Sequence, residues 1–182
     1  MKAFNVPTRE EVNAQNQANF DALHKGIGMV PNLYAAIAYS DNGLSRYLTF
    51  QSAKTSLTNK EKEAVNLVVS EVNGCRYCQS AHTVIGKMNG FSDDEVLNLR
   101  KGESGDSKLN ALVKLAKAIT ENKGNVSDEI LDAFYAAGFN NGTLVDLILQ
   151  ISDKIAMNYL HTITKVPIDF PVAPELKLAL AA

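Results

Sequence analysis

Residues 57–74 read LTNKEKEAVNLVVSEVNG, and this stretch decides the fold. Thr58 and Glu61 form a capping box, in which a hydroxyl and a carboxylate three residues later bond reciprocally to the N–H groups that open a helix. The run 65–72 is rich in β-branched residues and could pass for a buried strand, but no alternating segment elsewhere offers it a partner. We therefore predict a helix over 58–73 that stops at Gly74.

The same start and stop signals recur along the chain. Thr8 with Glu11 and Ser92 with Glu95 are further capping boxes, and Gly26 and Gly28 mark the end of the first helix. The signals predict helices near residues 8–24, 32–39, 41–54, 58–73, 76–89, 92–100, 107–122, 127–137 and 142–165. The last helix carries a core-facing stripe of Leu144, Leu147, Ile148, Ile151, Ile155, Tyr159 and Thr162. The sequence thus predicts an all-α fold, and we expect residues 1–182 to form one domain.

Composition narrows the classes of partner. Lys and Arg number 18 against 20 Asp and Glu, so the formal charge of -2 offers no excess positive field for nucleic acid or an anionic membrane. No apolar run is long enough to predict a signal peptide or a membrane span. We expect no nucleic-acid partner, no membrane partner and a cytoplasmic location.

The two cysteines lie in one motif, Cys75-Arg76-Tyr77-Cys78. In a reducing compartment this spacing indicates a redox dithiol or a metal site rather than a structural disulfide. A structural zinc needs four ligands, commonly from two close pairs, and the sequence has no second such pair, although a catalytic zinc with an open position needs fewer. The third interpretation is a pair of ordinary buried thiols. We favour the redox dithiol and expect neither a metal nor a cofactor.

The cysteine pair is predicted to lie in the first turn of the helix over 76–89. There the unpaired N–H groups and the helix dipole stabilise a thiolate, the reactive form of cysteine. At 100° per residue, Cys75, Cys78 and His82 fall in one narrow sector of the helix. His82 lies one turn beyond Cys78, where an imidazole can hydrogen-bond to the sulfur or pass a proton.

Glu63 lies eleven residues before the Cys75–Cys78 motif, and three residues separate that motif from His82. This spacing resembles that of the alkylhydroperoxidase D / carboxymuconolactone decarboxylase superfamily. Further segments resemble the sequences of the peroxidase-related branch, namely residues 28–32, 45–48, Asn158 and 167–169. The resemblance therefore covers most of the chain. It implies an AhpD-like helical bundle, a homo-oligomer such as a trimer or hexamer, and thiol-dependent reduction of hydroperoxides.

The resemblance also implies roles for individual residues. Cys78 corresponds to the peroxidatic cysteine, Cys75 to the resolving cysteine, and Glu63 and His82 to the proton relay. The alkylhydroperoxidase D proteins have a His where this chain has Tyr77, whose phenol titrates near pH ~10 and is a poor proton shuttle at neutral pH. Periodicity alone favours Glu71 over Glu63 as the buried carboxylate, because Glu71 lies inside the apolar arc of its helix.

Two classes of function follow from this sequence. The first is a thiol-dependent peroxidase, in which Cys78 attacks a hydroperoxide, Cys75 captures the sulfenic acid as a disulfide, and an external dithiol or protein reductant resets the pair. The second is a non-peroxidatic dithiol-disulfide oxidoreductase or a redox-sensing oligomeric scaffold. Ile37, Tyr47 and Leu48 are expected to be exposed on short helices, which also favours a homo-oligomer.

Overall fold

The structure is a computed structural model that describes residues 4–176. In this range the chain is all-α, as predicted, with one 3₁₀ turn and no β-strand. None of the described helices is both long and apolar enough to cross a membrane. The helices are α1 (Ala14–Ile27), α2 (Asn32–Ile37), α3 (Gly43–Gln51), α4 (Asn59–Val72), α5 (Arg76–Met88), α6 (Asp93–Lys101), α7 (Ser107–Glu121), α8 (Asp128–Ala136) and α9 (Asn141–Thr164).

The first helix differs from the predicted range 8–24. The Thr8 capping box forms, but it caps only a 3₁₀ turn at Arg9–Glu11, after which Val12 is extended. Asn13 caps α1 instead, because its side chain accepts a hydrogen bond from the Asn16 N–H. Gly26 lies inside α1, and the helix ends only where Gly28 adopts a left-handed conformation.

The other eight predicted helices are present, with ends that differ from the predictions by no more than three residues. The capping boxes at Thr58 and Ser92 both form. Gly74 has a φ of 64°, a conformation that costs a non-glycine residue about 1–2 kcal/mol. This glycine turns the chain between α4 and α5, and so places the cysteine motif at the start of α5.

α4 is the central helix of the fold and packs against α5, α6, α7 and α9. The middle of α4 is buried on all sides, and Val65, Leu67, Val68 and Val69 are fully buried. Each such side chain contributes about 1.5–3 kcal/mol when removed from water. The β-branched run that could be mistaken for a strand is therefore a helix buried all round, as expected for the core of a helical protein.

Two expectations about exposed and buried faces are wrong. Ile37, Tyr47 and Leu48 are half-buried against the apolar clusters formed by α1, α2, α3 and α5. On α9, Ile148, Tyr159 and Thr162 face solvent rather than the core. The buried face of α9 instead includes Leu147, Ile151, Asp153, Lys154, Met157 and Asn158, because polar residues occupy positions that the pattern of apolar residues alone does not reveal.

The segment after α9 is extended and covers the start of α5. Arg76 donates a hydrogen bond of 2.7 Å to the Ala173 carbonyl, and the Ala173 N–H donates to the Ser80 hydroxyl at 3.0 Å. Arg100 on α6 donates to the Pro174 carbonyl at 2.8 Å. These contacts hold the C-terminal segment against the helix that carries the cysteines.

Candidate active site

Cys75 is the N-cap residue of α5, and Cys78 lies in the first turn of that helix. The Cys75 sulfur accepts a hydrogen bond of 3.3 Å from the Cys78 N–H, and the two sulfur atoms are 2.7 Å apart. Both cysteines are free thiols, and both are buried. The two sulfurs are therefore close enough to exchange a proton and to be joined as a disulfide.

The two thiols differ in acidity. The hydrogen bond with Cys78 lowers the pKa of Cys75 to about 5. Burial by itself would raise this pKa, and the nearby His161 and the Cys78 N–H oppose that rise. The same sulfur–sulfur hydrogen bond raises the pKa of Cys78, and burial raises it further. The hydrogen bond between the sulfurs therefore makes Cys75 the more acidic thiol of a coupled pair.

Glu63 on α4 and His82 on α5 form a buried pair. The His82 Nδ1 atom is 2.7 Å from the Glu63 Oε2 atom, and the Asn66 amide donates to Glu63 Oε1 at 3.0 Å. Burial by itself would raise the pKa of Glu63, but the His82 charge and hydrogen bond lower it below its usual value. Because a carboxylate only accepts hydrogen bonds, Nδ1 of His82 carries the proton in this contact, and Nε2 remains for proton exchange.

The hydrogen bond that the structure gives to His82 goes to Glu63 and not to Cys78. The sequence places His82 one turn after Cys78, and α5 keeps that relation. The structure thus brings all four predicted site residues to the α4–α5 contact, with the thiols at the N-terminus of α5 and the carboxylate–imidazole pair one turn along.

Glu71, the carboxylate that periodicity favours, lies elsewhere. Its Oε2 atom is 2.8 Å from the Arg100 Nε atom and 2.7 Å from Nη2. The Arg100 side chain is fully buried, so Glu71 neutralises an interior charge that also anchors the C-terminal segment. The geometry gives Glu71 a structural role.

Tyr77 is buried between α2, α9 and the C-terminal segment. Its hydroxyl accepts a hydrogen bond of 3.3 Å from the Leu33 N–H, and its ring contacts His161 and Phe170. Burial raises the pKa of Tyr77, and Asp169 raises it further. This phenol therefore keeps its proton at neutral pH and ties α2 to the cysteine helix.

Two buried charged residues next to this site were not predicted from the sequence. Asp153 and Lys154 on α9 are each less than 5% exposed. A surface cleft of about 60 Å³ between α3, α4 and α9 reaches Asp153, with Gln51 and Gln150 also in its lining. Lys154 and Asn158 continue the i, i+3, i+4 line of Leu147 and Ile151, so charged and amide groups on a core-facing stripe were the available signal.

The side chain of Asn158 hydrogen-bonds to two other side chains. Its Oδ1 atom accepts a hydrogen bond of 2.9 Å from the Asn73 amide, and its own amide lies 3.4 Å from the Ser70 hydroxyl. Within residues 4–176, no group of three His, Cys, Asp or Glu side chains is arranged so that it could hold a metal ion.

The described part of the chain is all-helical, and it carries a buried Cys-x-x-Cys pair at a helix N-terminus, beside a Glu–His pair. These features are those of a helical dithiol protein. Residues 38–121 match the model of the Carboxymuconolactone decarboxylase family, a range that includes Glu63, both cysteines and His82. This match confirms the resemblance to the alkylhydroperoxidase D / carboxymuconolactone decarboxylase superfamily. A search of curated proteins gave no match.

Solved structures support the fold over nearly the whole chain. An uncharacterized peroxidase-related protein from Silicibacter sp. TM1040 is 20% identical, with a TM-score of 0.80, and the alignment covers 91% of this chain and 90% of that one. A second such protein, from Ralstonia eutropha JMP134 and described as an alkylhydroperoxidase AhpD core, is 16% identical, with a TM-score of 0.79 and coverage of 88% of both chains.

A third solved structure has a different named activity. The debrominase Bmp8, solved with 2,3,4-tribromopyrrole, is 14% identical, with a TM-score of 0.77, and the alignment covers 93% of this chain and 92% of that one. At these identities the comparisons define the fold, and the fold supports more than one chemistry.

Proposed function

We propose that this chain is a thiol-dependent peroxidase that reduces hydroperoxides through Cys75 and Cys78, with Glu63 and His82 as the proton relay. The observation that carries the proposal is the arrangement of two sulfurs 2.7 Å apart at the start of α5, next to a buried Glu63–His82 pair joined at 2.7 Å. Peroxide reduction needs a thiolate, a resolving thiol and a proton donor for the departing oxygen, and these four residues supply all three.

The reaction begins when the Cys78 proton passes to the Cys75 thiolate, which leaves Cys78 as the nucleophile. The Cys78 sulfur attacks the outer oxygen of the hydroperoxide, the O–O bond breaks, and the departing alkoxide takes a proton from the relay. The products are a sulfenic acid on Cys78 and an alcohol, or water when the substrate is hydrogen peroxide. Cys75 then attacks the Cys78 sulfur, and a disulfide and water form.

An external reductant closes the cycle. A dithiol or a protein thiol attacks the Cys75–Cys78 disulfide, becomes oxidised itself, and returns both cysteines to the reduced state. The runner-up function, a dithiol-disulfide oxidoreductase, uses the same pair but exchanges it with protein disulfides instead of peroxide.

Parallel assays of peroxide reduction and of disulfide reduction separate these functions. Hydrogen peroxide and an alkyl hydroperoxide are each supplied with dithiothreitol, and reduction of insulin disulfides is followed in parallel. We expect peroxide consumption well above that of a variant that lacks both cysteines, and weak insulin reduction. Strong insulin reduction without peroxide consumption would reject the peroxidase in favour of the oxidoreductase.

We also propose that the chain forms a homo-oligomer through an exposed stripe on α9. Val145, Ile148, Leu149, Tyr159 and Ile163 are each 46–77% exposed, and at 100° per residue they fall within one sector of about 100°. An apolar stripe of this length on a helix face is typical of a surface that another chain covers. A second copy of the chain is the occupant that the resemblance favours.

Light scattering tests the oligomer. We expect the wild-type protein to be larger than a monomer at micromolar concentration, and Ile148→Glu to shift it toward the monomer because a carboxylate is costly to bury in an apolar interface. Met88→Glu is the matched control, since Met88 is 81% exposed on α5 and lies outside the stripe. A monomeric wild type, or equal effects of both variants, would reject this interface.

A further inference from the structure

Lys154 is a buried ammonium group with no obvious structural purpose. It is 3% exposed and lies on the core-facing side of α9, one turn before Asn158. A buried charge costs several kcal/mol unless close partners compensate it, and an apolar residue of similar size at such a position is often more stabilising. The position therefore needs a second explanation.

Asp153 compensates the charge of Lys154 only in part. The Lys154 Nζ atom is 3.9 Å from the Asp153 Oδ2 atom, which is beyond hydrogen-bond distance. Both Asp153 carboxylate oxygens are buried and make no hydrogen bond within residues 4–176. The two residues are adjacent on a helix, so their side chains diverge by about 100° and cannot form a close ion pair.

The face of α9 that carries Lys154 packs against the candidate active site, because Met157 lies in one buried cluster with Cys75 and Cys78, and Asn158 hydrogen-bonds to Asn73 at the α4–α5 turn. Burial by itself would lower the pKa of Lys154, but Asp153, Cys78, Tyr34 and Glu63 together raise it, so the group is charged at neutral pH. Lys154 and the Asn158 amide both lower the pKa of Cys78, and so both favour its thiolate. Six ionisable groups from the surrounding helices interact electrostatically with Cys78 or Lys154: Tyr34, Tyr47, Glu63, Cys75, Tyr77 and Asp153.

We propose that Lys154 is the cation that stabilises the Cys78 thiolate when the proton of Cys78 passes to Cys75. Cys75, at the helix N-cap, is the more acidic thiol of the pair, so attack by Cys78 requires negative charge to move across the 2.7 Å between the sulfurs. Lys154 keeps its own proton throughout and lowers the energy of the state with the charge on Cys78. This role deepens the proposed peroxidase function and rests on it for its catalytic consequence.

The test titrates Cys78 alone, in a Cys75→Ser background in which it is the one remaining thiol. Thiolate absorbance and the rate of alkylation by iodoacetamide are followed as functions of pH, with and without Lys154→Met. We expect Lys154→Met to raise the pKa of Cys78 by about one unit or more, which lowers the thiolate fraction about tenfold below the titration midpoint. Lys154→Arg, which keeps the charge, is expected to restore most of the shift.

The matched control is Lys62→Met, which removes the same charge from a half-buried position on α4. Circular dichroism and thermal unfolding establish that each variant is folded, and Lys154→Gln replaces Lys154→Met if the apolar variant does not fold. A Cys78 pKa that is unchanged without Lys154, or that shifts equally in Lys62→Met, would overturn the inference. The titration uses no peroxide, so a failure of the peroxidase proposal appears separately, as absence of peroxide consumption by the wild-type chain.

Discussion

Cys78→Ser is expected to abolish peroxide consumption, whereas Cys75→Ser is expected to react once and stop. Without Cys78 no sulfenic acid forms, while without Cys75 the sulfenic acid on Cys78 has no intramolecular thiol to capture it. Dimedone should therefore label Cys78 in the Cys75→Ser variant after one equivalent of peroxide. Mass spectrometry of the labelled peptide gives both the site and the stoichiometry.

The rival outcome is that Cys75 attacks. The hydrogen bond with Cys78 lowers the pKa of Cys75 and makes it the more acidic thiol of the pair, and thioredoxin-like proteins also use the first cysteine of the motif. Against this, the Cys75 sulfur is fully buried and already accepts the Cys78 N–H as the helix cap, and nucleophilicity falls as the pKa of a thiol falls. A dimedone adduct on Cys75 in the Cys78→Ser variant, formed at the wild-type rate, would reverse the assignment.

The cysteine end of the site was predictable because its geometry is local. Cys75, Cys78 and His82 are related by three- and four-residue steps in one helix, and a helix fixes such relations whatever surrounds it. The hydrogen bond that lowers the pKa of Cys75 is equally local, because it joins the two cysteines of one motif. Nothing in these relations depends on how α5 packs.

Glu63 was not predictable from periodicity because α4 has no solvent face in its middle. A hydrophobic arc separates buried from exposed residues only when part of the helix contacts water, and Val65, Leu67, Val68 and Val69 are buried on all sides of α4. Glu63, at the margin of the arc, is therefore buried, whereas Glu71, inside the arc, is only half-buried. Which carboxylate meets His82 depends on the α4–α5 packing, and the resemblance carried that information where the pattern did not.

Local signals also failed where tertiary contacts extend or compete with them. The Thr8 capping box formed as its residues predict, but the chain turned after three residues, and Arg9 became paired with Asp21 of α1 at 2.8 Å. Lys154 was missed for the opposite reason, because a charged residue in an amphipathic pattern is normally assigned to the solvent face. Its burial follows from the position of α9 against α4 and α5.

Glu63→Gln is expected to lower the peroxide rate and leave the fold intact, whereas Glu71→Gln is expected to lower stability and leave the rate close to wild type. Glu63→Gln keeps the shape of the side chain but removes the charge that orients and supports His82, so we expect the peroxide rate to fall about a hundredfold. The fold should remain intact, because the glutamine oxygen can still accept from Asn66, and His82 can change tautomer to accept from the glutamine amide. Steady-state peroxide consumption and the urea midpoint, measured for both variants, provide the two readouts.

Glu71→Gln is the matched control, since it makes the same chemical change on the same helix. Glu71 neutralises the fully buried Arg100, and loss of that charge leaves the guanidinium poorly compensated, so we expect a loss of about 1–3 kcal/mol in the free energy of unfolding. Its peroxide rate should stay close to wild type, because Arg100 and the C-terminal segment lie outside the proposed relay. If Glu71→Gln lowers the rate while Glu63→Gln lowers only stability, the periodicity argument for Glu71 was right, and the Glu63–His82 pair at 2.7 Å is a structural contact.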